Sequence, residues 1–439
     1  VAPGAAALVT CLRAGREIDR TGSARAIERG LRAAGRARSR MAIGFAISVL
    51  GLGWLDLVRS ATGDLILLDE ALALVPLLAC LAWTFWIAEP IERRLREAFI
   101  LRALDEGEPI DEIPSRPRFV WLMTRTHLLA TVVPLFLLMT WMELLGWAQQ
   151  HHPGWFDRLP APAASITALS LAGLLALFAL APLMLKALWE TRPLGVGEHR
   201  ERIEAVCAHH GVRVRDILVW QMGPGVVNAA VMGLIGRLRF VLVTPGLLDQ
   251  LPADEVEAVA AHEIAHVRRR HIPWLAASVL GVVLPLTTLG GWALEQAFGT
   301  GVLEGWPGLA VAAVGVSGAL VLFGYISRRF EWQADAFAAA HLSGARTTGR
   351  PVPAVITEPA AASMSSALRR VARLNGMDPH RRSWRHGSIA LRRARLAKLV
   401  GQRSDALPID RAVARLKLCA TAGIVVAITL ALLDFAVVL

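Results

Sequence analysis

The sequence predicts a mainly α-helical polytopic membrane protein, with about seven transmembrane helices and a soluble part containing a small β-sheet. Three observations predict it. Hydrophobic residues make up 54% of the 439 residues, charged residues 19%, and mean hydropathy is +0.47, a balance outside the range of soluble domains. Seven apolar stretches approach the ~20 residues that cross a bilayer. The segments between them alternate in charge.

Residues 1–40 read as a basic N-terminal arm, with Ile18, Ile27 and Leu31 on an arginine-rich helix over 15–40 suited to lipid headgroups. The arm lacks the short apolar core and cleavage site of a signal peptide. Residues 41–186 carry four spans, at 41–58, 71–88, 128–147 and 164–186. The first two are short, and Asp56 sits near the end of the first, so they are expected to tilt or to form a shallow hairpin. The loop 89–127 includes a linker over 105–118 with Pro109, Pro114 and Pro117; Lys186 and Trp189 close the fourth span as interfacial anchors.

Residues 187–273 form the first soluble stretch. It is expected to hold a helix near 198–211, a strand near 212–220, a turn at Gly223, Pro224 and Gly225, a strand over Arg239–Thr244, and a helix beginning near Pro252. Proline suits the first turn of that helix, and Asp254 and Glu255 suit its positive end. A transmembrane hairpin follows over 274–326, with spans at 274–293 and 307–326. Residues 327–416 are a second soluble stretch, helical and arginine-rich, broken near Gly349–Pro353; residues 417–439 form the last span.

The net charge is +11. Arginines crowd 11–40, 89–127, 187–273 and 327–416, whereas 59–70 carries Asp64, Asp69 and Glu70, and 294–306 carries Glu295 and Glu304. The positive-inside rule then places the N-terminus, the loop 89–127 and both soluble stretches in the cytoplasm, in keeping with a bacterial inner membrane. The arginines flank apolar segments beside anionic lipid, and no recognition module accompanies them, so no nucleic acid is expected as a partner. The four cysteines form no CxxC pair, which argues against a cysteine zinc site and a disulfide framework. Cys80 and Cys419 are expected as small core residues.

The chemistry concentrates in HEIAH, His262–His266. Positions i and i+4 share a helix face, so His262 and His266 can offer two imidazoles to one zinc ion. Glu263 between them can take a proton from an attacking water. With 12 histidines in the chain, chance supplies only roughly 0.02 such motifs. A third ligand is needed. His271 lies five residues past His266, on another side of a continuous helix, and reads as a structural or membrane-surface histidine. Glu331, 65 residues past His266, opens an ExxxD pair with Asp335. That pair shares a helix face, so Asp335 can orient a histidine ligand. Phe330, Trp332, Ala334, Ala336 and Phe337 surround the two acids, and charges among such neighbours are usually paired or metal-bound. The remaining histidines have no ligand-like spacing to HEIAH.

Four stretches resemble the integral-membrane zinc metallopeptidases that include HtpX and the type I CAAX prenyl proteases: NAAVMG (Asn228–Gly233), RFVLVTPGLL (Arg239–Leu248), AAHEIAHVRRRH (Ala260–His271) and SRRFEWQADAFA (Ser327–Ala338). The last is especially similar to the prenyl-protease branch. The resemblance implies a gluzincin-like cytoplasmic protease domain, one zinc ion per chain held by His262, His266 and Glu331, and Glu263 as general base. It also implies that Asn228 and Ala229 line the cleft where an edge strand binds the backbone of a peptide or protein substrate. WRHGSIALR (Trp384–Arg392) resembles the family's HPxxxxR element, which implies that His386 and Arg392 stabilise the oxyanion, although Gly387 stands where proline is usual. The expected function is zinc-dependent hydrolysis of membrane or misfolded proteins at the cytoplasmic membrane face. The alternatives are cleavage of prenylated CAAX peptides, and a non-catalytic membrane protein with a vestigial zinc site.

Overall fold

The computed structural model describes residues 2–438 except 64–66, 106–112, 160–161, 223–225, 300, 348 and 350. Asp64, Pro109 and the turn expected at Gly223–Gly225 lie outside the described residues. The chain divides into two units, Val1–Thr191 and Arg192–Leu439.

The first unit is helical: α1 (Ala2–Thr21), α2 (Ala24–Gly51), α3 (Trp54–Thr62), α4 (Leu68–Asp105), α5 (Arg116–Met123), α6 (Ala130–His151), α7 (Pro153–Asp157) and α8 (Pro162–Leu188). The stretch expected as a basic arm forms two helices, parted at Gly22, where φ is +61°. Small residues Cys11, Ala14, Ala26 and Ala34 let α1 and α2 close on Ile87, Ala88 and Ile91 of α4. Between α2 and α3 the chain bends by 65° at Gly53. Arg59 on α3 then donates to Asp69 and Glu70 at the start of α4, 2.6 Å each.

The second unit interleaves a four-stranded sheet with helices. The elements are β1 (Thr191–Pro193), α9 (Glu198–His209), β2 (Asp216–Trp220), β3 (Ala229–Met232), β4 (Phe240–Val243), α10 (Pro245–Gln250), α11 (Ala253–Arg268), α12 (His271–Phe298), α13 (Trp306–Leu342), α14 (Glu358–Leu374), α15 (Ile389–Ala397) and α16 (Pro408–Val438). Strand order is β1-β2-β4-β3. β2 and β4 run parallel, with Ile217 opposite Val241, and β3 is antiparallel to β4, with Val231 opposite Val241. The two central strands are continuous apolar runs, as burial on both faces requires. Their residues Ile217, Val241 and Val243 share one core with Ile203 of α9, Val256 and Ile264 of α11, and Met364 of α14.

Six helices among the described residues are long and apolar enough to cross a membrane, within Leu68–Arg94, Arg116–His151, Ser165–Leu188, His271–Phe298, Trp306–Leu342 and Pro408–Leu430; the bent α2–α3 pair would make a seventh. The chain is an integral membrane protein. Helices α12 and α16 meet at glycines: a Cβ on Gly423 would stand 1.9 Å from the Gly281 carbonyl oxygen. Close crossings of this kind need residues without side chains. Cys419, expected in a core, is exposed on α16; in a membrane-spanning helix an outward apolar position faces lipid, so hydrophobicity alone does not locate the inside.

Helix α13 changes character along its length. Between Trp306 and Tyr325 only Gly315 and Gly324 are buried, whereas Ile326, Phe330, Glu331 and every residue over 333–341 are buried. The exposed part, about 30 Å long at 1.5 Å per residue, matches a bilayer core. The buried part packs against α11 and carries the second half of the site.

Candidate active site

All the residues singled out from the sequence for metal binding and catalysis lie in the second unit. Helix α11 begins after Pro252 with Asp254 and Glu255 in its first turn. Glu255 is anchored by Arg370 of α14, whose Nε donates to it at 2.8 Å. The face toward the core is built of Val256, Ala260, Ala261, Ile264 and Ala265, each at most 4% exposed. The small alanines admit α13, where Ala334 and Phe337 pack on Ala265. This close crossing brings Glu331 to the two histidines.

The three side chains face one another. His262 Nε2 lies 3.3 Å from His266 Nε2 and 3.6 Å from Glu331 Oε2, and His266 Nε2 lies 3.8 Å from Glu331 Oε1. Two ligands on a tetrahedral zinc with bonds near 2.0–2.1 Å are about 3.3 Å apart, so this donor set fits a zinc-sized cation. Among the described residues it is the one group of three or more histidine, cysteine or acidic side chains so disposed. Glu331 and His262 are buried, a setting in which ionised and imidazole groups need a partner.

Asp335, one turn beyond Glu331, places Oδ1 3.0 Å from His262 Nδ1, which leaves Nε2 pointing at the shared position. Arg392 on α15 is buried and forks over both acids. Its Nε and Nη2 donate to Asp335 at 2.8 and 2.6 Å, and its Nη1 lies 3.0 Å from Glu331 Oε2. Burial acts to lower the guanidinium's pKa, but Asp335 and Glu331 outweigh it and raise it. His386 is half-exposed, with Nδ1 2.9 Å from Glu331 Oε1. Its loop closes as a tight bridge between Ser383 and Gly387, bonded in both directions at 3.0–3.1 Å. Gly387 has φ +74°, which proline cannot adopt, so here the loop reaches His386 through a glycine turn. Trp384 anchors the loop on α13: it stacks on Phe323, and its carbonyl accepts from Arg328 at 2.8 Å.

Strand β3 is at the edge of the sheet, and helix α11, which carries Glu263, packs against it. Burial pushes Glu263 up to about 7, with the charge on His262 opposing. Asn228 precedes β3. Its backbone N–H donates to Thr244 Oγ1 at 2.9 Å, its carbonyl accepts from the Thr244 backbone amide at 3.0 Å, and its side chain rests against Met222.

Burial would lower the His262 imidazole, but Asp335 and Glu331 outweigh it and raise the group to about 10. Burial and the neighbouring His262 charge lower His266 to about 3. A metal binds only the neutral ring, so below pH 10 His262 must lose a proton first. Zinc affinity is therefore expected to rise about tenfold per pH unit between pH 7.5 and 9, measured by chelator competition. Affinity flat over that range would contradict the assigned His262 environment.

The structure corrects the expected position of His271. His271 is neither on a far face nor at the surface: it is 2% exposed, and its Nδ1 lies 2.9 Å from His266 Nδ1. The spacing argument assumed a continuous helix. The helix instead ends at Arg268, Arg270 turns left-handed at φ +55°, and His271 opens α12 facing back. Sequence reasoning also passed over His210 and His341, which link Thr347 to Glu257 through contacts of 2.9, 3.0 and 3.2 Å. No local pattern signals that link, because its members come from four segments.

Comparison with known proteins finds similarity over the stretch that holds most of this geometry. Residues 197–378 match the model of Peptidase family M48. The curated relatives it is similar to include a "Protease HtpX homolog" of Aeropyrum pernix, 30% identical over 196 residues covering 43% of this chain and 60% of the relative. Another is a "Protease HtpX homolog" of Desulfatibacillum aliphaticivorans, 36% identical over 131 residues, 28% of this chain and 40% of the relative. The chain thus spans roughly half the length of these relatives. The crystal structure of S. mikatae Ste24p is also similar, at 16% identity and a TM-score of 0.40, over 78% of this chain and 88% of that one.

Proposed function

We propose that this chain is a zinc-dependent membrane endopeptidase that hydrolyses peptide bonds of membrane or misfolded proteins at the cytoplasmic membrane face. The observation that carries the proposal is the convergence of His262, His266 and Glu331 on one position, with Glu263 between the two histidines on α11. His262, His266 and Glu331 would hold the cation, which when bound supplies a Lewis acid for the scissile carbonyl and for water. A fourth protein ligand would close such a site, and the three found here suit an open, catalytic one.

The chain's own groups account for the remaining steps. An extended substrate adds to the open edge of β3, held by main-chain hydrogen bonds with little sequence preference. Glu263, half-buried and with its pKa raised to about 7, accepts a proton from the attacking water and passes it to the leaving amine. His386, half-exposed beside the ligand carboxylate, donates to the developing oxyanion. All three guanidinium nitrogens of Arg392 contact Asp335 or Glu331, so it holds both carboxylates in place. The change in α13 from exposed to buried at Ile326, about 8 Å along the helix before Glu331, supports a site at the membrane surface.

Cleavage of casein or a quenched peptide by the purified full chain tests the proposal; activity should vanish with chelator and return with zinc. Chelator-insensitive cleavage, or none at all, would overturn it. The similarity of Ser327–Ala338 to the prenyl-protease branch favours prenylated CAAX peptides as a second reading, which the same assay with farnesylated and unmodified peptides decides. Glu331→Ala should reduce bound zinc from one per chain to near zero by elemental analysis, and stoichiometric zinc in that variant would exclude Glu331 as a ligand.

A further inference from the structure

We infer that His271, Gln333 and Asp410 form a one-way hydrogen-bond chain that fixes the tautomer and orientation of His266, tying helix α16 to the metal ligand. The inference rests on the metal site proposed above. Three links join four residues on four helices, α11, α12, α13 and α16. His266 Nδ1 meets His271 Nδ1 at 2.9 Å, His271 Nε2 meets Gln333 Oε1 at 2.9 Å, and Gln333 Nε2 donates to Asp410 Oδ1. Asp410 begins α16, Gln333 belongs to the buried part of α13, and His271 opens α12.

The direction of every link follows from its last member. An ionised carboxylate only accepts, and Arg269 Nη2 lies 3.6 Å from Asp410 Oδ2. Gln333 must then turn its amide NH2 to Asp410 and its carbonyl to His271. A carbonyl only accepts, so His271 carries its proton on Nε2, and its Nδ1 is left with a lone pair. That lone pair can only accept, so His266 carries its proton on Nδ1. The Nε2 of His266 is then the bare nitrogen, the one aimed at His262 and Glu331. His262 receives the same service from Asp335 directly. The two ligand rings are thus oriented by different devices, one a carboxylate and the other a relay. Gln333 and His271 are both buried, so water does not substitute for a missing member. His271 also stacks on Phe330, centroids 4.4 Å apart and planes within 6°, and this separates packing from hydrogen bonding experimentally.

His271→Phe keeps an aromatic ring on Phe330 and removes the acceptor. His271→Asn puts a carbonyl oxygen near the position of Nδ1 and removes the ring. Zinc affinity of the full chain in detergent, measured by competition with a chromophoric chelator, should fall roughly 10–100-fold in His271→Phe, stay within about threefold of wild type in His271→Asn, and fall in Gln333→Met. A purely structural role predicts the opposite order, with phenylalanine tolerated and asparagine not. Wild-type affinity in His271→Phe would overturn the inference while leaving the zinc site standing; a wild type that binds no zinc would sink both. If His271→Phe does not fold, the wild type still decides: nitrogen-15 spectra of the zinc-loaded chain should show His271 protonated at Nε2, and protonation at Nδ1 would overturn the relay.

Discussion

Glu263→Gln is expected to abolish peptide hydrolysis while leaving zinc bound at one ion per chain. Glutamine is nearly isosteric with glutamate, so the packing of α11 against β3 survives. What is lost is a carboxylate able to take the proton of the attacking water and hand it on. Removal of a positioned general base costs roughly 10²–10⁴-fold in rate, enough to bring a slow membrane protease below detection. The side chain is not one of the three convergent ligands, so elemental analysis should read the same zinc in variant and wild type. Retained turnover above one tenth of wild type would remove Glu263 from the mechanism. Lost zinc would make it a structural member of the site.

The largest expected effect on stability is at Arg392. Its guanidinium is 6% exposed and is shared by Asp335 and Glu331, themselves 3% and 6% exposed. Removing one partner of a buried ionic cluster leaves uncompensated charge, at a cost of about 3–5 kcal/mol. Arg392→Met, which keeps much of the side-chain volume, should therefore lower the thermal midpoint of the detergent-solubilised chain by about 10 °C. It should also weaken zinc, because Asp335 and Glu331 lose their common brace. Arg392→Lys should recover only part of either loss, since one ammonium cannot reproduce the two-pronged hold on Asp335. A midpoint within about 2 °C of wild type in Arg392→Met would show that the cluster contributes little to stability.

Much of this arrangement was legible in the sequence because it is periodic. Residues 198–211 become α9 at Glu198–His209, and the strand expected over Arg239–Thr244 becomes β4 at Phe240–Val243. The i, i+4 spacing of His262 and His266, and that of Glu331 and Asp335, needs only helical geometry to bring each pair onto one face. The relay was not legible. It depends on where α11 stops, and three consecutive arginines, Arg268–Arg270, carry no glycine or proline to mark the break. Strand β3 is only four residues long, Ala229–Met232, and pairing with β4 rather than strong local propensity makes it a strand. Residues 15–40 were readable as helical but not as packed, because their arginines mask the small-residue stripe of Ala26 and Ala34 that α4 covers. Gln333 and Asp410 lie 77 residues apart, and nothing in either neighbourhood announces the other.

Anomalous diffraction at the zinc edge from crystals of the full chain is the most direct test of the central claim. The account predicts a single strong peak within about 2.0–2.2 Å of His262 Nε2, His266 Nε2 and a Glu331 carboxylate oxygen. A peak on another set of side chains, or none after growth in zinc, would contradict it.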